Sequence, residues 1–400
     1  MDSREEEAPL VPSPDLESQS VRRSHTRDVH VLSCSFLLIF LAYGAAQNLE
    51  STVLTVQNLG TTSLGILYVS FTFFSLVASP MVRSLGTKNA LILGSTGYWL
   101  FIAANLIPSW YTMVPAALYM GFAASIIWVG QGTYLTSTAR SHAEDFKVHE
   151  GTVIGKFNGE FWGMFASHQF VGNLFSLFLL GDEEVLITTG ICVVNIKFML
   201  LLDVTVPISF NSYPSMFSCY VIDNAVFQIR AEYTKHIVRP AIGESGVGGA
   251  MAVYGAFDAV CSLAAGRLTS GLPSITLIVS GGALIQAIVL LWILLKYSIV
   301  SGVLGVVYPL VMAAMLGMGD AVFNTQLNAL LGLLFRDDTE GAFAQLKVWQ
   351  SATIAVVFFV GPFVSLQAMV LVMIGVLGVS MAAFLFLMLY SEKAFSPRTP

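Results

Sequence analysis

A carboxylate, imidazole or amide inside a run of apolar residues is costly, so the polar groups set in hydrophobic sequence are the first candidates for chemistry. Glu160 and His168 stand eight residues apart. In a helix that spacing is about 2.2 turns and puts both on one face, with Gln169 beside His168. Asp320 follows Gly317-Met318-Gly319, and Asn324 and Asn328 extend its face at intervals of four. Gln47, Asn48 and Glu50 close the first apolar run. Two kinds of chemistry suit these residues. They can line a path for a solute or relay a proton, since carboxylates and imidazoles in low dielectric exchange protons near neutral pH. Alternatively they join helices by hydrogen bonds, as polar residues in membranes commonly do. Spacing leaves both open for Asp320 and Asn324, and for Glu160 and His168, with helix capping a further role for Glu160. Gln47, Asn48 and Glu50 suit either a cavity or an interfacial cap. Asp258, Asp203 and Lys197 suit packing better.

A second pattern is a repeated basic turn. Ser79-Pro80-Met81-Val82-Arg83-Ser84-Leu85-Gly86 ends one apolar run and opens the next, and Ala264-Ala265-Gly266-Arg267-Leu268-Thr269-Ser270-Gly271 does the same 184 residues later. His149-Glu150-Gly151 and Thr339-Glu340-Gly341 form another pair, 190 residues apart. Two markers at nearly one offset predict parallel halves of six spans. A short Gly turn lets adjacent helix ends approach closely. Its Arg can then pair with helix C-terminal carbonyls or with a carboxylate across the halves, as a gating latch. Arg83 and Arg267 are the candidates, a plain charge anchor being the competing role.

The elements that must carry these residues are long and apolar. Of 400 residues 55% are hydrophobic and 11% charged, against about 25% charged in an ordinary soluble domain. Such a chain cannot wet its own surface, which predicts that lipid surrounds it. A ruler of about 20 apolar residues per span gives 29–47, 62–82, 89–107, 111–135, 158–180, 186–207, 246–266, 274–295, 301–331, 341–364 and 366–390. The runs do not alternate as barrel strands do, so they predict helices. Between them, 208–235 is an atypical junction around a compositionally weak seventh span. The expected layout is a polar cytoplasmic tail over 1–28, a six-helix half over 29–207, the junction 208–235, a second half over 236–391 and a tail over 392–400. Lysine and arginine bias sets the N-terminus inside. With twelve spans Arg83, Lys88, Arg140, Lys147, Lys156, Arg267, Arg336 and Lys347 all count to the cytoplasmic side. Eleven spans flip the second half with nearly as good a bias, so charge fixes the first half and leaves the second open. Within the tail, Glu6-Glu7-Ala8-Pro9-Leu10-Val11 approximates an acidic dileucine-like sorting signal.

Several classes are disfavoured. No basic stripe points to nucleic acid, and no phosphate-cradling Gly loop or nucleophile turn points to an enzyme. Cys34, Cys192, Cys219 and Cys261 lack metal-ligand spacing and fit inert thiols. No cofactor or metal is expected. Trp128-Val129-Gly130-Gln131-Gly132-Thr133-Tyr134 fits a helix-packing surface.

Four motifs taken together carry a resemblance: Gly44-Ala45-Ala46-Gln47-Asn48-Leu49-Glu50-Ser51-Thr52, Ala123-Ala124-Ser125-Ile126-Ile127-Trp128-Val129-Gly130-Gln131-Gly132, Phe157-Asn158-Gly159-Glu160-Phe161-Trp162 and Asp338-Thr339-Glu340-Gly341-Ala342-Phe343. The chain resembles the Unc-ninety-three-like family, and its plant members most closely, over 29–180 and 230–390. The resemblance implies an all-α polytopic membrane protein, a major-facilitator-like bundle of 11–12 transmembrane helices in two pseudo-repeated halves. It implies a regulator of potassium channel activity or homeostasis, partnered by a channel subunit or another membrane protein, in the plasma membrane or an endomembrane such as the vacuole. The alternative it leaves is a proton-coupled solute carrier working by alternating access on a small solute or ion. The middle departs from the family: 181–229 is short, without the charged loop and clean seventh span that precede the stretch found here as Ala231-Glu232-Tyr233-Thr234-Lys235.

Overall fold

In the computed structural model the chain is described over residues 25–53, 59–179, 233–295, 303–360 and 364–395. Nearly all of these residues are helical. The first group comprises α1 (His25–Val53), α2 (Leu59–Leu85), α3 (Thr87–Ala104), α4 (Trp110–Phe146) and α5 (Glu150–Leu179). The second comprises α6 (Arg239–Leu268), entered through a π-turn at Thr234–Val238, then α7 (Leu272–Leu295), α8 (Val303–Leu334), α9 (Thr339–Val360) and α10 (Leu366–Phe395). The span expected at 186–207 and most of the junction 208–235 lie outside the described residues, as do the tails.

Seven of these helices are long and apolar enough to cross a bilayer by length and composition. The other three, α3, α5 and α9, carry charge: Lys88 in the first turn of α3, Glu150, Lys156 and Glu160 along the first half of α5, and Glu340 and Lys347 on α9. Each packs against the helices that qualify. The described surface is studded with large apolar residues, among them Phe73, Leu277, Val379 and Phe386, which fits a protein wetted by acyl chains. The chain is a multi-pass integral membrane protein.

Within the first group α4 packs against α2 and α3, and α1 against α5; within the second α8 packs against α6 and α7, and α7 against α10. Two seams join the groups, α2 with α9 and α5 with α6, reinforced by α5 with α8 and α4 with α9. These seams follow the repeat seen in the sequence. Arg83 ends the helix that meets the one opened by Glu340, and Arg267 ends the helix that meets the one opened by Glu150.

Turns are cut by local chemistry. Gly86 adopts φ 77°, a conformation other residues resist, and lets α2 reverse into α3 within one residue. At the start of α4, Ser109 accepts from the Thr112 backbone N–H at 3.2 Å, and the Thr112 hydroxyl accepts from the Ser109 backbone N–H at 3.0 Å, a reciprocal capping box. Ser109→Ala is expected to cost about 1 kcal/mol, read as a Tm lower by about 2–4 °C in lipid nanodiscs with the protein still monodisperse.

Basic residues collect at one end of the bundle. Arg27, Arg83, Lys88, Arg140, Lys147, Lys156, Arg267 and Arg336 lie at or near helix ends and turns there, whereas at the other end the α3–α4 connection has neither Lys nor Arg and the entry to α6 carries Lys235 and Arg239. An excess of basic residues at one end is the pattern that the positive-inside rule describes.

Candidate functional site: a latched basic end and a polar interior

At the basic end the two helix groups are tied by ion pairs. Arg83, buried at the end of α2, pairs with Asp338 and, at 3.4 Å, with Glu340 at the start of α9. Arg140, near the end of α4, reaches Glu150 at 3.2 Å and donates to the Gly332 carbonyl at 2.7 Å and the Phe335 carbonyl at 3.5 Å. It thereby caps the C-terminus of α8, where orphan carbonyls and the helix dipole both favour a cation. Its guanidinium also donates to Thr339 Oγ1 at 3.3 Å. Glu150 is held a second time, by Arg336. Arg267 behaves differently from its repeat mate: it is exposed and makes no ion pair among the described residues. The second ion-pair cluster is built on Arg140, Glu150 and Arg336, and neither the Gly-turn pattern nor the repeat singles out its two arginines.

The same end staples the first group together. His25 Nε2 lies 2.7 Å from Asp145 Oδ2, His30 Nε2 lies 3.5 Å from Glu160 Oε2, and Lys156 Nζ lies 3.9 Å from Glu160 Oε1. Glu160 therefore sits in a charged cluster between α1 and α5. His168, two turns further along α5, is in apolar company. Its ring centroid lies 4.7 Å from Phe165 and 5.9 Å from Phe40, and Nδ1 donates to the Phe165 carbonyl at 2.5 Å. The structure separates these two candidates into different surroundings.

Asp320 lies inside α8. Its carboxylate accepts from the Tyr254 hydroxyl of α6 and, at 2.8 Å, from Asn324 Nδ2. Asn328 continues the ladder by donating to the Asn324 carbonyl at 2.7 Å. One turn before Asp320's own turn, Gly317 packs so closely on α6 that an added Cβ would lie 2.3 Å from the Tyr254 carbonyl. Asp258, buried on α6, accepts from Ser262 at 3.3 Å. The helix carrying Gln47, Asn48 and Glu50 is described, but their side chains lie outside the described residues, as do Asp203 and Lys197. Among the described residues no three His, Cys, Asp or Glu side chains gather as a metal site would require.

Lys347 is a residue whose setting the charge count misjudges. Counted by charge as a loop residue, it is in fact eight residues inside α9 and buried, with Nζ 4.7 Å from the centroid of the Trp128 ring and 2.7 Å from Gln350 Oε1. Its position within the apolar stretch 341–364 was the available signal. A second missed pattern is Gly151, Gly155, Gly159 and Gly163, four glycines at four-residue intervals on α5: Gly159 and Gly163 pack on α6, Gly155 on Thr269 just past its end, and Gly151 faces the following turn at Gly271.

The sequence matches the family described as ion channel regulatory protein UNC-93 over residues 55–219 and 304–387. UNC93-like protein 3 of Arabidopsis thaliana is 58% identical over 94% of this chain and 89% of its own length. The chain belongs to the UNC-93 family. Human protein unc-93 homolog A is 28% identical over 94% of this chain and 96% of its own. The unc-93 protein of Caenorhabditis elegans, whose name gives potassium channel regulation as a provisional role, is 26% identical over 92% of this chain and 61% of its own. The alignments to the Arabidopsis and human proteins run over 415 and 441 positions, so these UNC-93 relatives carry residues that the 400-residue chain lacks. Among solved structures, the human organic anion transporter MFSD10 superposes with a TM-score of 0.65 at 12% identity, over 90% of this chain and 100% of that one. A bacterial homologue of the iron transporter ferroportin, in an outward-facing state, superposes at 0.60 with 11% identity, over 90% and 98%. These likenesses show the fold: this UNC-93 protein has the major facilitator architecture.

Proposed function

We propose that the chain regulates an ion channel of the potassium class, with the transporter-like bundle as the regulatory scaffold and a channel subunit in the same bilayer as partner. Membership of the ion channel regulatory family carries this reading, and the potassium class follows the name of the Caenorhabditis elegans relative. The latch gives the reading a mechanism. Arg83 with Asp338 and Glu340, and Arg140 with Glu150 and the end of α8, hold the cytoplasmic face of both helix groups in one arrangement. A surface fixed in that way can present one shape to a partner and another when the latch opens. Co-expression with a panel of potassium channel pore subunits tests it: whole-cell potassium current changes for at least one subunit, and that subunit co-purifies. No change of current and no co-purified channel would sink the idea.

A second reading is favoured by one observation. The Asp320 carboxylate lies inside α8, taking hydrogen bonds from Tyr254 across the α6–α8 contact and from Asn324, where a proton-coupled carrier would keep its coupling group. In that case Asp320→Asn abolishes saturable, pH-gradient-driven uptake into liposomes. A regulator keeps its effect on channel current in the same variant, provided the protein remains monodisperse. The two outcomes separate the readings, because asparagine preserves the side-chain volume and removes only the titratable group.

A further inference from the structure

Lys347 is about 12 Å along α9 from the helix start at 1.5 Å per residue and only 4% exposed. An ammonium at that depth is held against π-faces and polar groups, here Trp128 and Gln350. Trp128 in turn stacks on Trp162 of α5, with centroids 5.8 Å apart and planes 8° from parallel. Gln131 follows Trp128 by three residues on α4, so the two share a helix face. It is 1% exposed, and neither its amide oxygen nor its amide nitrogen has a partner. The indole N–H of Trp162, a residue 5% exposed, is unpartnered as well. Next to Gln131, Gly132 faces the ring of Phe343, one turn before Lys347: an added Cβ would lie 2.5 Å from that ring. One junction of α4, α5 and α9 therefore brings together a buried cation, two parallel indoles and three polar atoms with unmet hydrogen bonds. Leaving such atoms unpaired in low dielectric is expensive.

We propose that this junction binds a small organic anion with a planar apolar body. A carboxylate accepts from Lys347 and from the N–H groups of Trp162 and Gln131, while the body packs on the indole faces. The Gln131 carbonyl takes a hydroxyl or amide N–H of the ligand. An organic cation is repelled by Lys347, and a bare inorganic anion leaves the indole surfaces unused. The site goes beyond channel regulation and does not rest on it.

The test is equilibrium binding of radiolabelled 2-naphthoate to the full chain in lipid nanodiscs, with the neutral 2-naphthalenemethanol and empty nanodiscs as controls. Wild type binds 2-naphthoate saturably. Lys347→Gln weakens it about tenfold, Lys347→Arg less, and the weak uptake of the alcohol is the same in all. Trp162→Phe keeps the stacked ring, removes only the N–H and weakens binding by a smaller factor. That variant carries the test if Lys347→Gln does not give monodisperse protein. Binding that matches empty nanodiscs, or 2-naphthoate affinity equal in wild type, Lys347→Gln and Trp162→Phe, overturns the proposal.

Discussion

Gly159→Leu is expected to prevent recovery of folded, monodisperse protein from detergent extracts, while Gly281→Leu leaves yield and Tm near wild type. The difference lies in what an added side chain meets. A Cβ at Gly159 would lie 2.7 Å from the Gly266 Cα and 2.8 Å from the Ser262 carbonyl; a Cβ at Gly266 would lie 2.5 Å from the Gly159 Cα. Both obstacles are backbone and cannot rotate away. Beside them, a Cβ at Gly155 would lie 2.3 Å from Thr269 Cβ, and one at Gly163 would lie 2.6 Å from Leu263 Cγ. In lipid no hydrophobic force drives helices together, so close backbone approach through small residues supplies much of the contact energy. Overpacking costs about 1–3 kcal/mol in ordinary cores. Here the whole seam must part, and α6 takes with it α8, which packs on it, so the cost is at or above about 3 kcal/mol. At Gly281 nothing stands within 4 Å of the added atom. Fluorescence-detected size exclusion of tagged variants measures both. Wild-type elution and Tm for Gly159→Leu would show that the seam is not built on this approach.

How far the sequence reveals this architecture depends on which force shapes each part. Apolar runs locate α2, α4, α7, α8 and α10 because lipid imposes a length of apolar sequence. The same ruler misses where helices continue into water. Hydropathy ends the fourth span at 135, yet α4 runs to Phe146; it starts the fifth at 158, yet α5 begins at Glu150. Those extra turns carry Arg140, Asp145, Glu150 and Lys156, the residues that form the basic end's ion pairs. The repeat makes Arg83 and Glu340 legible as markers, and the structure brings them together. Asp338, Arg140 and Arg336 are not legible as partners, since Asp338 finds Arg83 only once α9 starts beside α2, and Arg140 and Arg336 meet Glu150 only once α8 ends beside α4 and α5. The glycine series from 151 to 163 is a pattern of four that sequence displays openly. Its meaning needs α6 opposite. Lys347 is hidden by the habit of assigning every lysine to a loop, although the predicted span around it leaves it no loop to occupy.

Arg83→Gln should do more damage than any other single charge removal at the basic end, and Arg267→Gln almost none, even though the repeat makes the two arginines equivalent. Arg83 is buried between two carboxylates that are themselves 19% and 24% exposed. Glutamine leaves Asp338 and Glu340 facing each other without their cation. Loss of one partner of a buried pair costs about 3–5 kcal/mol, and water at the carboxylates argues for the lower end. The equivalent carboxylate for Arg267 is Glu150, which Arg140 and Arg336 already hold. Exposed Arg267 thus has little to lose. The readout is a cysteine placed at Thr136, which is buried under the latch against Gly332, in a background with the four native cysteines replaced. Membrane-impermeant maleimide applied from the basic end labels it slowly in wild type and in Arg267→Gln. In Arg83→Gln labelling rises about tenfold or more, since about 1.4 kcal/mol of lost latch energy already shifts an opening equilibrium tenfold. Arg140→Gln falls between them, because its loss also uncaps α8 while Arg336 keeps Glu150. Equal labelling in Arg83→Gln and Arg267→Gln would mean that the ion pairs follow the closed arrangement and do not hold it.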